Sequence, residues 1–206
     1  IHSEEITREN AKDILAGVDG ILVAPGFGSR GIEGKINAVE YARVNKVPFM
    51  GICLGMQCAV VEFARNVLGY TDAHSREMDS NTKHPVIDIM AEQKNITNMG
   101  GTMRLGAYPC KVSENSNLFK AYGETLISER HRHRYEFNNE YLDEFKKHGM
   151  KITGINPDTN LVEVVEIEDH PWYVASQYHP EYKSTVAKPH PMFVGFVGAM
   201  LKYHDT

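Results

Sequence analysis

Apolar residues enter this chain in short bursts, each followed by an amphipathic stretch. The run "GILVA" (20–24) is unbroken and of strand length, and the glycine-rich turn "PGFGSRG" follows it. Next comes "EGKINAVEYARVNK", where Ile36, Val39, Ala42 and Val44 are spaced for a helix, and then a second strand-like run, "VPFMGI". After Cys53, the residues Met56, Ala59, Val60, Phe63 and Val67 recur at three- and four-residue intervals, which predicts a helix from Leu54 to about Leu68 with Gly69 as its stop. Upstream, "ITRENAKDILAG" predicts a helix capped by Thr7 and stopped by Gly17. Alternating helix and strand predicts an α/β fold, a mostly parallel central sheet flanked by helices in a single domain.

The pattern changes over Thr71–Thr102, which is polar and irregular apart from "PVIDIM" and ends in the glycine-bearing "NMGGTMRLG"; an insertion or lid is expected there. Farther on, "TLISERHRHRYEF", "KITGI", "LVEVVEIE" and "YVASQYH" predict strands, and "NEYLDEFKKHG" predicts a helix with acidic residues first and glycine last. The chain closes on "HPMFVGFVGAMLKYH", a helix expected to dock through Phe193, Phe196, Val197 and Met200.

Composition narrows the class. With 206 residues, 42% of them hydrophobic, the chain can bury a sizeable core. Its formal charge of -5 is spread along the sequence, so neither a nucleic-acid nor a membrane patch is expected. Three cysteines are too few for a disulfide framework and no apolar run suits a bilayer, which predicts a reduced, cytoplasmic protein. The first residues, "IHSEEITREN", lack a signal-peptide pattern.

Candidate chemistry begins at "FMGICLGMQ", where Cys53 sits between Gly51 and Gly55 at a strand-to-helix corner. Small neighbours permit a sharp, strained turn that exposes a nucleophile, and a helix N-terminus favours a thiolate, so the position predicts an activated thiol. A small core cysteine fits the same pattern, and the two readings stand side by side. In "QYHPEY", His179 and Glu181 are two apart, and on an extended segment they would share one side. A carboxylate there would fix the imidazole tautomer and leave the other ring nitrogen to serve the thiol. Cys53, His179 and Glu181 form a candidate triad; a surface turn is the plain alternative for H-P-E. Cys58 and Cys110 read as inert, and His131 and His133 lack the ligand spacing of a metal site, so no metal is expected.

Taken in order, "PGFGSRGIEGK", "GICLGMQCAVVEFARNVLG", "NMGGTMRLG", "ERHRHRYE" and "QYHPEY" resemble the class I, triad-type glutamine amidotransferases, and "GGTMRLG" with "RHRHRYE" is similar to the glutaminase domains of the CTP synthase family in particular. The resemblance covers nearly all of residues 1–206 and implies hydrolysis of L-glutamine through a cysteinyl thioester. It implies backbone oxyanion donors at Gly26 and Leu54, and glutamine-binding roles for Gln57, Glu77 and Arg134. The family commonly reads P-G-G-F-G, whereas here Ala24 and Pro25 precede Gly26, and Pro25 has no N–H to offer. Arg104, on the expected glycine-rich lid, is the candidate for transmitting an allosteric signal.

No phosphate-binding G-x-x-x-x-G-K-[ST] motif occurs in the chain. The expectation is therefore a glutaminase domain without cofactor, joined in a longer polypeptide to a synthase domain absent from this sequence. By resemblance, that domain would use ATP, Mg and UTP, GTP would activate the glutaminase, and the full-length enzyme would be a homo-oligomer, a tetramer. Competing readings are a glutaminase subunit serving another acceptor such as GMP synthesis, a catalytically silent regulatory relative, and a γ-glutamyl peptidase.

Overall fold

The corner at Cys53 is built where three parallel strands meet one helix. In the computed structural model, which describes residues 1–89 and 103–206, β1 (Ile21–Val23) pairs in parallel with β2 (Phe49–Ile52), and β2 pairs in parallel with β10 (Tyr173–Ser176). Between the first two runs α2 (Ile32–Asn45), and after the second α3 (Leu54–Asn66), and both bury apolar residues against the sheet. Beyond β10 the same sheet continues through β9 (Val162–Ile167), β8 (Met150–Ile155), β5 (Arg104–Val112) and β6 (Leu126–His133), all antiparallel. The sheet is thus mixed, with parallel pairing gathered at the end that carries the corner. Beside it stands a smaller sheet of β3 (His74–Ser75), β4 (Pro85–Ile89) and β7 (Tyr135–Phe137).

Strand periodicity divides the apolar residues between two faces. Phe49, Tyr173 and Ala175 lie under α2, α3 and α5 (Leu142–Lys147). Met50, Ile52 and Val174 face the other way, into a cluster with Leu118 of α4 (Asn117–Tyr122) and with Met192 and Phe196 of α6 (Pro191–His204). Helices therefore cover both faces, as parallel strands require. A buried ion pair locks α2 to α3: the Arg43 guanidinium donates to both oxygens of Glu62, at 2.6–3.1 Å.

Several expectations change. The first helix shrinks to α1 (Ala11–Ile14), because Thr7 and Asn10 bond each other's backbone N–H and hold the preceding turn. Val44 and Val197 are exposed rather than core. The part of the expected lid over residues 90–102 lies outside the described residues; β3 and β4 precede it, and β5, of which the sequence shows only the strand-like run at Cys110, begins at Arg104. The single strand expected over "TLISERHRHRYEF" is two strands in two sheets, broken at Arg134.

Close backbone approach explains both glycines at the corner. A Cβ on Gly55 would sit 2.2 Å from the Val23 carbonyl oxygen, and one on Gly51 would sit 2.8 Å from the Gly55 carbonyl carbon. Gly55→Ala is expected to cost about 1–3 kcal/mol through overpacking, read as a lower urea midpoint with an unchanged slope.

Candidate active site

Cys53 follows β2 directly and stands at the N-terminus of α3, with φ 52° and ψ −100°. A non-glycine residue in that region carries about 1–3 kcal/mol of strain, held here by the Cys53 N–H bond to the Ser176 carbonyl (2.7 Å) and by the helix bond from Gln57 N–H to the Cys53 carbonyl. The corner predicted from glycine spacing exists. Its expected activation does not: burial pushes the thiol up to about 12, and the Leu54 N–H, which donates to the sulfur, only partly offsets this, while Glu181 and Glu77 add to the rise. The raised value makes the sulfur a neutral thiol near pH 7.

His179 is buried, and its backbone N–H donates to the Arg130 carbonyl of β6. Its Nδ1 lies 2.6 Å from Glu181 Oε1. The pairing does not come from an extended segment. Pro180–Lys183 forms a 3₁₀ turn, so Glu181 folds back towards the ring, and Tyr182 stacks on the imidazole at 4.8 Å and 8°. With Nδ1–H committed to the carboxylate, Nε2 is left as an acceptor; it is buried and has no hydrogen-bond partner among the described residues.

One cavity of about 480 Å³ brings the predicted groups together. Cys53, His179 and Glu181 line it with Gln57, Glu77 and Arg134, and the Pro25–Phe27 turn closes one side. Arg134 reaches it because the chain breaks between β6 and β7 at that residue. Glu77 Oε1 accepts from the Gly28 N–H (3.3 Å), tying the acidic group to the glycine loop. Gly26 abuts the Leu54 side chain: a Cβ built on it would lie 3.2 Å from Leu54 Cδ2, so the two residues expected to supply oxyanion donors are in contact. Among the described residues, no group of three or more His, Cys, Asp or Glu side chains is arranged to hold a metal ion.

The placement of Arg104 on a surface lid does not hold. It opens β5, is buried, and pairs with Glu136 (3.0 Å) and Glu163 (2.8 Å), with its guanidinium over the Tyr108 ring. The same interior holds His131 and His133, which burial and the Arg104 charge push down to about 2 and about 3.

Gln177, which the motif reading passed over, also reaches the Cys53 sulfur. Fully buried two positions before His179, it donates through Nε2 towards the Cys53 sulfur (3.6 Å). Its Oε1 accepts from Gln57 Nε2 (3.3 Å), which also donates to the Tyr135 carbonyl (3.0 Å). A carbonyl only accepts, so the Gln57 amide orientation is fixed with both N–H groups engaged and its oxygen left over.

The class-I glutamine amidotransferase family model matches residues 2–199. A CTP synthase from Flavobacterium johnsoniae is 61% identical over 204 residues, 99% of this chain and 38% of that protein. One from Clostridium beijerinckii is 60% identical over 206 residues, again covering 38% of its length. The chain thus spans well under half of these relatives. Among solved structures, the glutaminase domain of Trypanosoma brucei CTPS with bound acivicin superposes with a TM-score of 0.92 at 38% identity, over 98% of this chain and 79% of that one.

Two outcomes follow from the titrating groups. Iodoacetamide at pH 7.5 is expected to alkylate Cys53 no faster than an ordinary free thiol of pKa about 8.5; rapid labelling of the empty site would contradict a buried neutral thiol. His131 and His133 are held neutral in the fold, so their stabilisation is complete above the unfolded value of about 6.5 and is lost as pH falls below it. Glu136, raised by burial to about 7, and Glu163, also raised by burial, act in the opposite sense as pH rises from about 4.5. The histidine contribution is isolated by comparison: urea unfolding of the wild type is expected to lose more stability between pH 6.5 and pH 5 than that of His133→Phe, which lacks one of the two groups.

Proposed function

Because the chain belongs to the class I glutamine amidotransferase family, we propose that it hydrolyses the side-chain amide of L-glutamine at Cys53 and supplies the ammonia to a synthase domain of the same polypeptide. The observation that carries this reading is the single cavity shared by a thiol on a strained corner and an imidazole whose Nδ1 is held by Glu181 and whose Nε2 is free to take a proton. Glu77 and Arg134 on the walls match the α-ammonium and α-carboxylate of a free amino acid, the guanidinium by its planar fork.

The chemistry divides into two proton transfers through one nitrogen. As the sulfur bonds to the amide carbon of glutamine, the thiol proton moves to His179 Nε2; the C–N bond then breaks as that proton passes to the leaving nitrogen, giving ammonia and a γ-glutamyl thioester. Water attacks the thioester while His179 takes its proton, and return of that proton to sulfur releases glutamate and restores Cys53. The Leu54 N–H, at the helix start, and the Gly26 N–H are the groups this reading assigns to the oxyanion, each worth about 3 kcal/mol in the transition state. Gln57 offers its remaining amide oxygen to the substrate's amino group.

The acceptor reading rests on the relatives: those at about 60% identity are named CTP synthase. On this reading UTP is aminated to CTP with ATP and Mg in the synthase part, GTP stimulates the glutaminase, and the full-length enzyme is a tetramer in the cytoplasm. No helix among the described residues is long and apolar enough to cross a membrane.

The reading is tested by peptide mapping after treatment with an electrophilic glutamine analogue. One adduct on Cys53, suppressed by glutamine and absent from Cys53→Ala, is expected; equal labelling of Cys58 and Cys110 would overturn it. Glu181→Ala is expected to lower glutaminase kcat by about 10²-fold or more with a much smaller change in KM, because the imidazole loses the partner that sets its tautomer.

A further inference from the structure

Against the wall of the cavity that His133 lines lies a buried polar cluster drawn from four strands: Arg104 on β5, His131 and His133 on β6, Glu136 on β7 and Glu163 on β9. Its hydrogen positions can be worked out one bond at a time. His133 Nδ1 lies 3.2 Å from the Tyr135 carbonyl, which only accepts, so Nδ1 carries the hydrogen. A neutral ring then has a lone pair on Nε2, and His131 Nδ1, 2.8 Å away, must donate to it. His131 Nε2 is left in turn as a lone pair, buried and without a hydrogen-bond partner, and 3.5 Å from it stands Glu163 Oε2, which also lacks one.

Two lone pairs facing each other repel unless a proton lies between them. The charges lead to the same place. One guanidinium faces two carboxyls in a dry interior, so the cluster is neutral only if one carboxyl is protonated. Glu136 Oε1 faces the hydrogen-bearing Nδ1 of His133 at 3.9 Å, which favours its ionised form, whereas Glu163 Oε2 faces an acceptor. Asn156 and Arg104 both donate to Glu163, Arg104 to Oε1, which leaves Oε2 as the oxygen to carry the proton. Burial raises both carboxyls despite Arg104, Glu136 to about 7, so the pair shares a proton; the ring nitrogens that face the two outer oxygens decide that Glu163 holds it.

We infer that Glu163 is a protonated positioning residue: Oε2–H donates to His131, His131 to His133, and His133 to the Tyr135 carbonyl that also holds the Gln57 amide. From Gln57 the same line continues through Gln177 to the Cys53 sulfur. Every donor along it is determined by the carbonyl at its middle. Glu163 thereby acts on the cavity without lining it, by keeping Gln57 and Gln177 in one amide orientation. Its role in catalysis rests on the glutaminase reading; the protonation state does not.

Four variants of the full-length protein test this. Glu163→Gln supplies an N–H where the acid has O–H and an oxygen for Arg104, so the thermal midpoint is expected within about 2 °C of wild type, whereas Glu136→Gln, which strips Arg104 of its anion, lowers it by about 5 °C or more. The reverse order, or equal losses, would overturn the assignment whether or not glutamine is a substrate. For positioning, Glu163→Leu and His131→Leu are expected to raise KM for glutamine about tenfold with kcat changed less than about threefold, and Glu163→Gln to restore KM to within about twofold. A Glu163→Leu protein that folds and binds glutamine normally would end the positioning role, and so would Gln failing where Leu fails. Wild-type protein that leaves glutamine intact would count against the glutaminase reading alone.

Discussion

The contact of Gly55 with the Val23 carbonyl sets how deeply α3 seats on the sheet, and the site inherits its dimensions from that depth. A helix one methyl group farther out would carry Leu54 away from Gly26 and draw Cys53 off the end of β2. The same corner touches β10, because a Cβ on Gly51 would meet Ala175 at 3.0 Å, and β10 leads within three residues to His179. Nucleophile, base and glycine loop are therefore located by one main-chain approach. The strain at Cys53 is sustained by the hydrogen bonds on either side of it.

Burial rather than the helix terminus decides the resting chemistry. A helix N-terminus favours an anion by about 0.3–1 kcal/mol, and withdrawal of this sulfur from water, with Glu181 and Glu77 adding to it, outweighs that gain and holds the thiol protonated. A thiol protected in this way reacts only when a substrate brings its own carbonyl into the cavity and the proton has His179 to receive it. Selectivity is then built into the ground state, since a protonated thiol is a poor nucleophile towards passing electrophiles.

The parts of the fold legible in the sequence are those whose polarity follows their burial. Ile21 and Val23 of β1, all of β2, and the apolar residues at the start of α3 are inside because they are apolar, and the glycines around Cys53 announce a corner that only glycine allows. The polar interior was hidden for the opposite reason. Along β6 the buried side chains are Ile127, Glu129, His131 and His133, while Leu126 faces solvent, so three of the four inward positions look like surface. Arg104 looks like a loop residue beside two glycines until Glu136 and Glu163, 32 and 59 residues away, arrive to pair with it. Likewise the break at Arg134, which delivers that side chain to the cavity, depends on β4 drawing Tyr135–Phe137 into a second sheet, a long-range pairing without a local signature.

At the centre of the polar line is an atom that belongs to the backbone. Because the Tyr135 carbonyl receives both Gln57 and His133, replacing the tyrosine side chain cannot delete the junction. A substitution at position 135 leaves this acceptor in place, whereas the residues that donate to it are held to side chains with an N–H in one place. The junction is insulated from mutation at its own codon, and the constraint it imposes is written at other codons, far along the chain.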